Sequence, residues 1–231
     1  MKDKKVLLTG GTGGLGRGIL PSVLSQGASV VIPYLKERYA DSVRGMLTQE
    51  QLEQVTLVKA DLTKESNVSQ IVKDMGKVEV LIHLVGGFDM GEIHQYSLDD
   101  WHKTFNINLL TTFLTCKHSL QSMREHNYGR IVTVGSRGAV DPAPQLAAYS
   151  AAKAGVVALT QAIAKETQKF NITANTVLPS VIDTPTNREA MGEENANQWV
   201  KPASLAKVIC FLASEASQDV SGAAIPVYGD A

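Results

Sequence analysis

Cysteine is scarce in this 231-residue chain, which has only Cys116 and Cys210. They lie far apart in apolar, helix-patterned stretches, and no metal-ligand spacing surrounds either. That excludes a disulfide framework, predicts no metal site and points to reduced core thiols of a cytoplasmic protein. No charge of one sign is in excess: 22 Lys and Arg stand against 23 Asp and Glu, a formal net charge of −1. Nucleic acid and acidic surfaces are therefore not expected as main partners. Long apolar runs are missing too. The basic start (Lys2, Lys4, Lys5) is followed only by Val6, Leu7 and Leu8 before glycines begin, too short for a secretory signal, and no later run predicts a membrane span. No repeat, low-complexity run or Pro/Ser-rich linker divides the chain. Residues 1–231 read as one domain, and a hydrophobic fraction of 44% is ample for its core.

What is present is an alternation of short apolar runs with helical patterns. Strands are predicted at 5–9, 29–32, 55–60, 78–85, 130–134, 171–178 and 222–227, with helical patterns between them. This is the signature of an α/β, Rossmann-type, doubly wound parallel sheet of about seven strands. Asp61 is placed to cap a helix over 64–75. From Ser97, with Asp99 and Asp100, a long helix is predicted through Trp101, Phe105, Leu109, Thr112, Phe113, Cys116, Leu120 and Met123. Asn106 and Asn108 break its apolar pattern and are expected to bond backbone at a bend. Pro21 predicts a kink in the first helix. The 179–201 stretch reads as an irregular polar lid or a disordered segment, and 204–213 as a helix.

Two stretches carry chemistry. After the first strand comes Gly10-Gly-Thr-Gly-Gly-Leu-Gly16, in which Gly11, Gly13 and Gly16 fit G-x-G-x-x-G. Glycine permits the tight turn and lets backbone N–H groups approach a pyrophosphate at the next helix's positive end. At the end of the second strand, where an acid would hold the ribose 2′-hydroxyl of NAD, the chain has Tyr34, with Lys36 and Arg38 close by. That tilts the reading towards NADP(H) over NAD(H), although the two cations also suit a solvated helix start. Asp61 could face the adenine as well as cap its helix. His83 reads as a satisfied structural histidine.

The second stretch is Tyr149-Ser-Ala-Ala-Lys153, flanked by helix formers, which sets Tyr149 and Lys153 one turn apart on one helix face. Ser136 follows the 130–134 strand at the edge where open α/β sheets bind ligands. A phenol titrates near ~10, and a cation about 4 Å away contributes on the order of 4 kcal/mol at an effective dielectric of about 20, so Lys153 is expected to lower the Tyr149 pKa. Ser136 would hold a substrate oxygen as charge develops on it. A Tyr-x-x-x-Lys pair on an Ala-rich helix can equally be a plain surface pair, so the reading depends on the rest of the chain.

Thr9 to Gly16, Asp61-Leu62, Asn108, Gly135-Ser136, Tyr149 with Lys153, Pro179 with Ile182 and Thr184, and Ser221-Gly222 occur together in order. With these markers the chain resembles the short-chain dehydrogenase/reductases over nearly its whole length. It is most similar in pattern to 3-oxoacyl-carrier-protein-reductase-like members. The resemblance implies an NAD(P)-dependent oxidoreductase that moves a hydride between nicotinamide and a carbonyl or secondary alcohol. Tyr149 would be general acid/base, Lys153 would lower its pKa and bind the nicotinamide ribose, Ser136 would orient the substrate oxygen, and Asn108 would hold a relay water. Cofactor contacts would come from Gly10, Thr12, Gly13, Gly14, Leu15, Gly16, Tyr34, Lys36, Asp61, Leu62, Val85, Tyr149, Lys153, Ile182 and Thr184. A homotetramer is implied, through the long helix and the catalytic helix. Leu110, Leu114 and Met123 on the former, and Ala154, Val157, Ala158 and Ala162 on the latter, read as apolar surface beyond one buried stripe.

Three departures stand out: His83-Leu-Val-Gly86 replaces the family's Asn-Asn-Ala-Gly, Pro179-Ser180 replaces Pro-Gly, and Val227-Tyr-Gly-Asp230 replaces Val-Asp-Gly-Gly. Dihydropteridine reductases carry a glycine pair like Gly86-Gly87 but lack the serine, so Ser136 argues against that branch. A dinucleotide-sensing regulator of the same fold typically loses the tyrosine or lysine; here both are kept. Substrate specificity is expected in the 88–95, 137–145 and 179–201 loops.

Overall fold

Strands buried on both faces favour apolar residues, which make up most of the central strands of this chain, and the polar ones among them, such as His83 and Thr133, are buried with hydrogen-bond partners. The computed structural model describes residues 1–230. The chain runs β1 (Lys5–Thr9), α1 (Gly14–Leu24), β2 (Ser29–Tyr34), α2 (Glu37–Arg44), α3 (Gln49–Glu53), β3 (Val55–Lys59), α4 (Glu65–Met75) and β4 (Val80–His83). It continues with α5 (Leu98–Phe105), a π-helical turn (Asn106–Leu110), α6 (Thr111–Glu125), β5 (Gly129–Val134), a 3₁₀ turn (Arg137–Ala139) and α7 (Ala147–Glu166). β6 (Ile172–Pro179), α8 (Pro185–Met191), α9 (Pro202–Leu212) and β7 (Ala224–Val227) complete it. All seven strands pair in parallel in the order β3-β2-β1-β4-β5-β6-β7.

Alternation along the strands divides the core in two. Val6, Leu8, Val30, Ile32 and Ile82 face α1 and α9, meeting Ile19, Leu20, Leu205 and Ile209. Leu7, Leu81, Ile131 and Ala174 face the other layer, meeting Val68 and Ile71 of α4, Leu114 and Met123 of α6, and Ile163 of α7. The chain order reverses between β1 and β4, which opens a crevice beyond their carboxyl ends.

Several details differ from the sequence reading. Asp61 does not cap α4. Its Oδ1 instead accepts from the Thr63 backbone N–H (2.9 Å) and hydroxyl (2.7 Å), closing a local turn, and Lys64 occupies the cap position with no side-chain bond. Leu114 and Met123 are not surplus surface; both are buried in their own subunit's core. The 179–201 segment is neither irregular throughout nor wholly polar. Thr184 caps α8 by accepting from the Asn187 N–H (3.3 Å), Ile182 bridges Val200, and Ala196, Trp199 and Val200 are buried. Asp183 clamps the segment. Its carboxylate takes Arg188 Nε and Nη2 at 2.6 and 3.0 Å and Lys201 Nζ at 2.7 Å.

Candidate active site

The glycine turn closes with the Gly13 N–H donating to the Gly10 carbonyl at 3.0 Å. Gly10 has φ +70°, and a Cβ there would lie 2.8 Å from the Leu84 carbonyl carbon, so only glycine lets the turn lie against the end of β4. Gly16 backs onto Gly10 and Gly11 with no room for a side chain. Gly13 ends exposed as the cap residue of α1, where unpaired N–H groups and the helix dipole favour an anion.

Beside this turn lies a cleft of about 310 Å³. Of the predicted cofactor residues, Gly10, Thr12, Gly13, Tyr34, Asp61, Leu62 and Val85 line it. Gly14, Leu15 and Gly16 form the first turn of α1, with Thr184 packed over Gly14, 3.1 Å from where a Cβ would sit. Lys36 is an exposed cap of α2 and Ile182 packs on the core; neither lines the cleft. Leu35, Tyr39, Ala60, Ile107 and Thr111 also line it, unforeseen because their order in the chain does not show that they converge. A phosphate-binding turn, apolar walls for a flat ring and Asp61 between them are a donor set that fits a dinucleotide.

At the Tyr34 side of the cleft, the Tyr34 hydroxyl donates to Glu37 Oε2 (2.8 Å), and Arg44 Nη1 pairs with Glu37 Oε1 (2.9 Å). These contacts hold the Glu37 carboxyl below its usual range. Arg38 Nη2 donates at 3.0 Å to the hydroxyl of Tyr39, a residue that lines the cleft.

Next to Gly86, which lines the cleft, are Asn108 and Lys153, two of the four polar residues singled out by the sequence. Ser136 caps the 3₁₀ turn, its Oγ accepting from the Gly138 N–H at 3.1 Å, and it also hydrogen-bonds the Tyr149 phenol. Lys153, one turn along α7, is 5% exposed; its Nζ donates to the Val134 carbonyl at 2.9 Å and lies 5.9 Å from the Tyr149 ring centre. Asn108 is buried in the π-helical turn. Its Nδ2 donates to the carbonyls of Gly87 and Thr104, both at 2.9 Å, and its Oδ1 accepts from the Gly87 N–H at 3.2 Å. The extra residue of a π turn aims this amide inward, as its break in the apolar pattern suggested.

Electrostatics here correct one expectation. The Tyr149 pKa is raised, not lowered: burial of the phenol outweighs the hydrogen bond with Ser136. Lys153 turns its ammonium to Val134, and its own burial brings it down to about 8.

His83 is structural, as read. Its Nδ1 lies 2.8 Å from Thr9 Oγ1 and 3.0 Å from Thr115 Oγ1, and its Nε2 3.4 Å from Thr111 Oγ1. Burial, then the Lys153 charge, lowers it to about 3. Ser180 extends the pairing of β6, its N–H donating to Val227 (3.2 Å) and its hydroxyl to the Tyr228 carbonyl. Gly86 was noted only within a departure, yet it is tightly constrained. A Cβ there would lie 2.9 Å from Asn108 Oδ1 and 3.1 Å from Lys153 Nζ. Among the described residues, no three His, Cys, Asp or Glu cluster to hold a metal, and no helix is long and apolar enough to cross a membrane.

Residues 4–195 match the family model described as short chain dehydrogenase. The chain is 30% identical to 3-oxoacyl-acyl-carrier-protein reductase MabA of Mycobacterium bovis, covering 98% of this chain and 92% of that protein. It is 29% identical to D-beta-hydroxybutyrate dehydrogenase of Cupriavidus necator, over 96% and 95% of the two. A solved structure of ElxO with NADP bound superposes with a TM-score of 0.91 at 26% identity, covering 99% of this chain and 98% of that one.

Proposed function

Because this chain belongs to the short-chain dehydrogenase family, whose members are NAD(P)-dependent oxidoreductases, we propose that it reduces a small carbonyl compound, or oxidises the matching secondary alcohol, at Ser136, Tyr149 and Lys153. The bound nicotinamide supplies or accepts the hydride. Tyr149 holds the proton that goes to the carbonyl oxygen, and Ser136 donates a hydrogen bond to that oxygen as negative charge grows on it. Lys153, charged below about pH 8, offers N–H donors to the nicotinamide ribose. Asn108 anchors Gly87 and, in this reading, the start of the water path that returns the proton. The carrying observation is that Asn108 and Lys153 flank Gly86, which lines the cleft, while Ser136 is hydrogen-bonded to Tyr149 one turn along α7 from Lys153.

The cofactor of choice in this proposal is NADP(H). Tyr34 stands where an acid would repel a 2′-phosphate, Glu37 is already engaged by Arg44, and Arg38 donates to Tyr39, which lines the cleft. A neighbour with NADP bound is consistent with this. We further propose a cytoplasmic location and a homotetramer, the latter supported by the exposed Phe113 on α6 and the exposed Ala158 and Ala162 on α7.

Tyr149→Phe tests the mechanism: turnover of a reducible ketone should fall by about 10²- to 10⁴-fold. Fluorescence titration should show cofactor affinity within about twofold, since the phenol proton is absent from ground-state binding. Activity within a few-fold of the parent would refute the assignment. The same titration on the parent should favour NADP(H), and a tenfold preference for NAD(H) would overturn the cofactor reading.

A further inference from the structure

We infer that Phe88 selects the substrate at this site, favouring carbonyl compounds that carry a flat apolar group next to the reacting carbon. The inference rests on the proposed function, since it is framed around Tyr149 as the proton donor. Phe88 is 63% exposed, although a phenyl ring is among the side chains that gain most from burial. Exposed aromatics are common on flexible loops, but this one is not free to fold inward. Immediately before it, Gly87 is held at both its N–H and its carbonyl by Asn108. Immediately after it, Asp89 accepts from the Met90 N–H and from the Tyr96 hydroxyl, each at 2.9 Å, and Tyr96 is tied to Thr104 of α5 at 2.8 Å. The Gly91 N–H then donates to the Gln145 carbonyl across the site at 2.9 Å.

The ring so fixed stands edge-on to Tyr149, with centroids 5.1 Å apart and planes at 71°. A carbonyl oxygen within reach of the phenol therefore brings its nearest substituent to the Phe88 ring. That substituent completes a burial the fold leaves unfinished, and the ordering of the ring has already been achieved by the loop. Beside the ring, the Asp89 carboxylate is already taken up by the Met90 N–H and the Tyr96 hydroxyl, so this part of the loop offers a hydroxylated substituent less than it offers an apolar one.

The test compares acetophenone with acetone, using the preferred cofactor, in the parent, Phe88→Ala and Phe88→Trp. Phe88→Ala should lower kcat/KM for acetophenone about 10- to 50-fold while changing that for acetone less than about threefold. Phe88→Trp should keep acetophenone within about threefold of the parent, and melting temperatures should agree within about 2 °C because the ring is exposed. Equal losses on both ketones would mean that Phe88 only shapes Tyr149, and no loss on either would mean that it selects nothing; both overturn the inference. Binding of acetophenone to the cofactor complex, read by saturation-transfer NMR, separates the two proposals. If the parent reduces neither ketone yet binds acetophenone and Phe88→Ala does not, the proposed reaction fails while the Phe88 assignment stands. Acetophenone that binds parent and Phe88→Ala alike, or binds neither, overturns the assignment.

Discussion

Lys153 and His83 are two buried bases whose charged forms the interior disfavours, and each leaves a mark on stability. Folded Lys153 releases its proton near pH 8, whereas the ordinary value is 10.5. Below pH 8 both folded and unfolded chains carry the charge, so the full cost of burying it is present. Between pH 8 and 10.5 the unfolded chain holds a proton that the folded one does not, and folding stability recovers as pH rises. Lys153→Met should therefore stabilise the cofactor-free protein at pH 7 by about 1–2 kcal/mol, after allowing for the lost bond to Val134, while weakening turnover and cofactor binding. The gain should fade towards pH 10.5 in urea titrations. His83 behaves in the same sense in acid. From pH 6.5 down to about 3 the unfolded chain takes up a proton that folded His83 refuses, so stability falls with pH. His83→Asn, the residue typical of the family, should flatten that acid loss by up to about 1.4 kcal/mol per pH unit, read as a smaller drop in melting temperature between pH 7 and 5.

At the scale of elements, the site depends on the π-helical turn meeting the end of β4. Asn108 reaches Gly87 only because one extra residue rotates it inward, and Gly86 leaves Asn108 and Lys153 room to approach. Gly86→Ala should push the amide or the ammonium aside and loosen the Asn108–Gly87 pair. A loss of about 1–2 kcal/mol in stability and at least about a tenfold fall in kcat are expected. Titration of the cleft with AMP should be unchanged, because the adenine-facing walls lie elsewhere along the crevice. An enzyme of parental kcat would show that the packing around Gly86 is not critical.

For the whole molecule, the strand order places the glycine turn of β1 against the Leu84–Gly86 segment, and both line one cleft. The α6 and α7 surfaces bear on assembly. With Leu114 and Met123 spent in the subunit's own core, the surface left for association is Phe113 with the small residues of α7. Exposed apolar residues on two helices still suit closed symmetric packing against their copies. Light scattering at micromolar concentration should return four times the 24.8 kDa chain mass; the mass of a single chain would refute the tetramer.

Strand and helix order, the parallel sheet and the glycine turn were legible in the sequence, because local periodicity and turn chemistry determine them. The spacing of Tyr149 and Lys153 on one helix face was legible for the same reason. Asn108 announced itself as a polar break in an apolar helix. What the tertiary structure alone decided is how these groups are solvated and which partners they meet. It raised the Tyr149 pKa where a nearby cation suggested a fall, and turned Asp61 from a cap into a local turn. It buried Trp199 and Val200 within the segment that reads as a polar lid, and brought Phe88 to the phenol. Burial and long-range contact depend on residues scores of positions away, and desolvation is set by the packed environment rather than by neighbours in the chain.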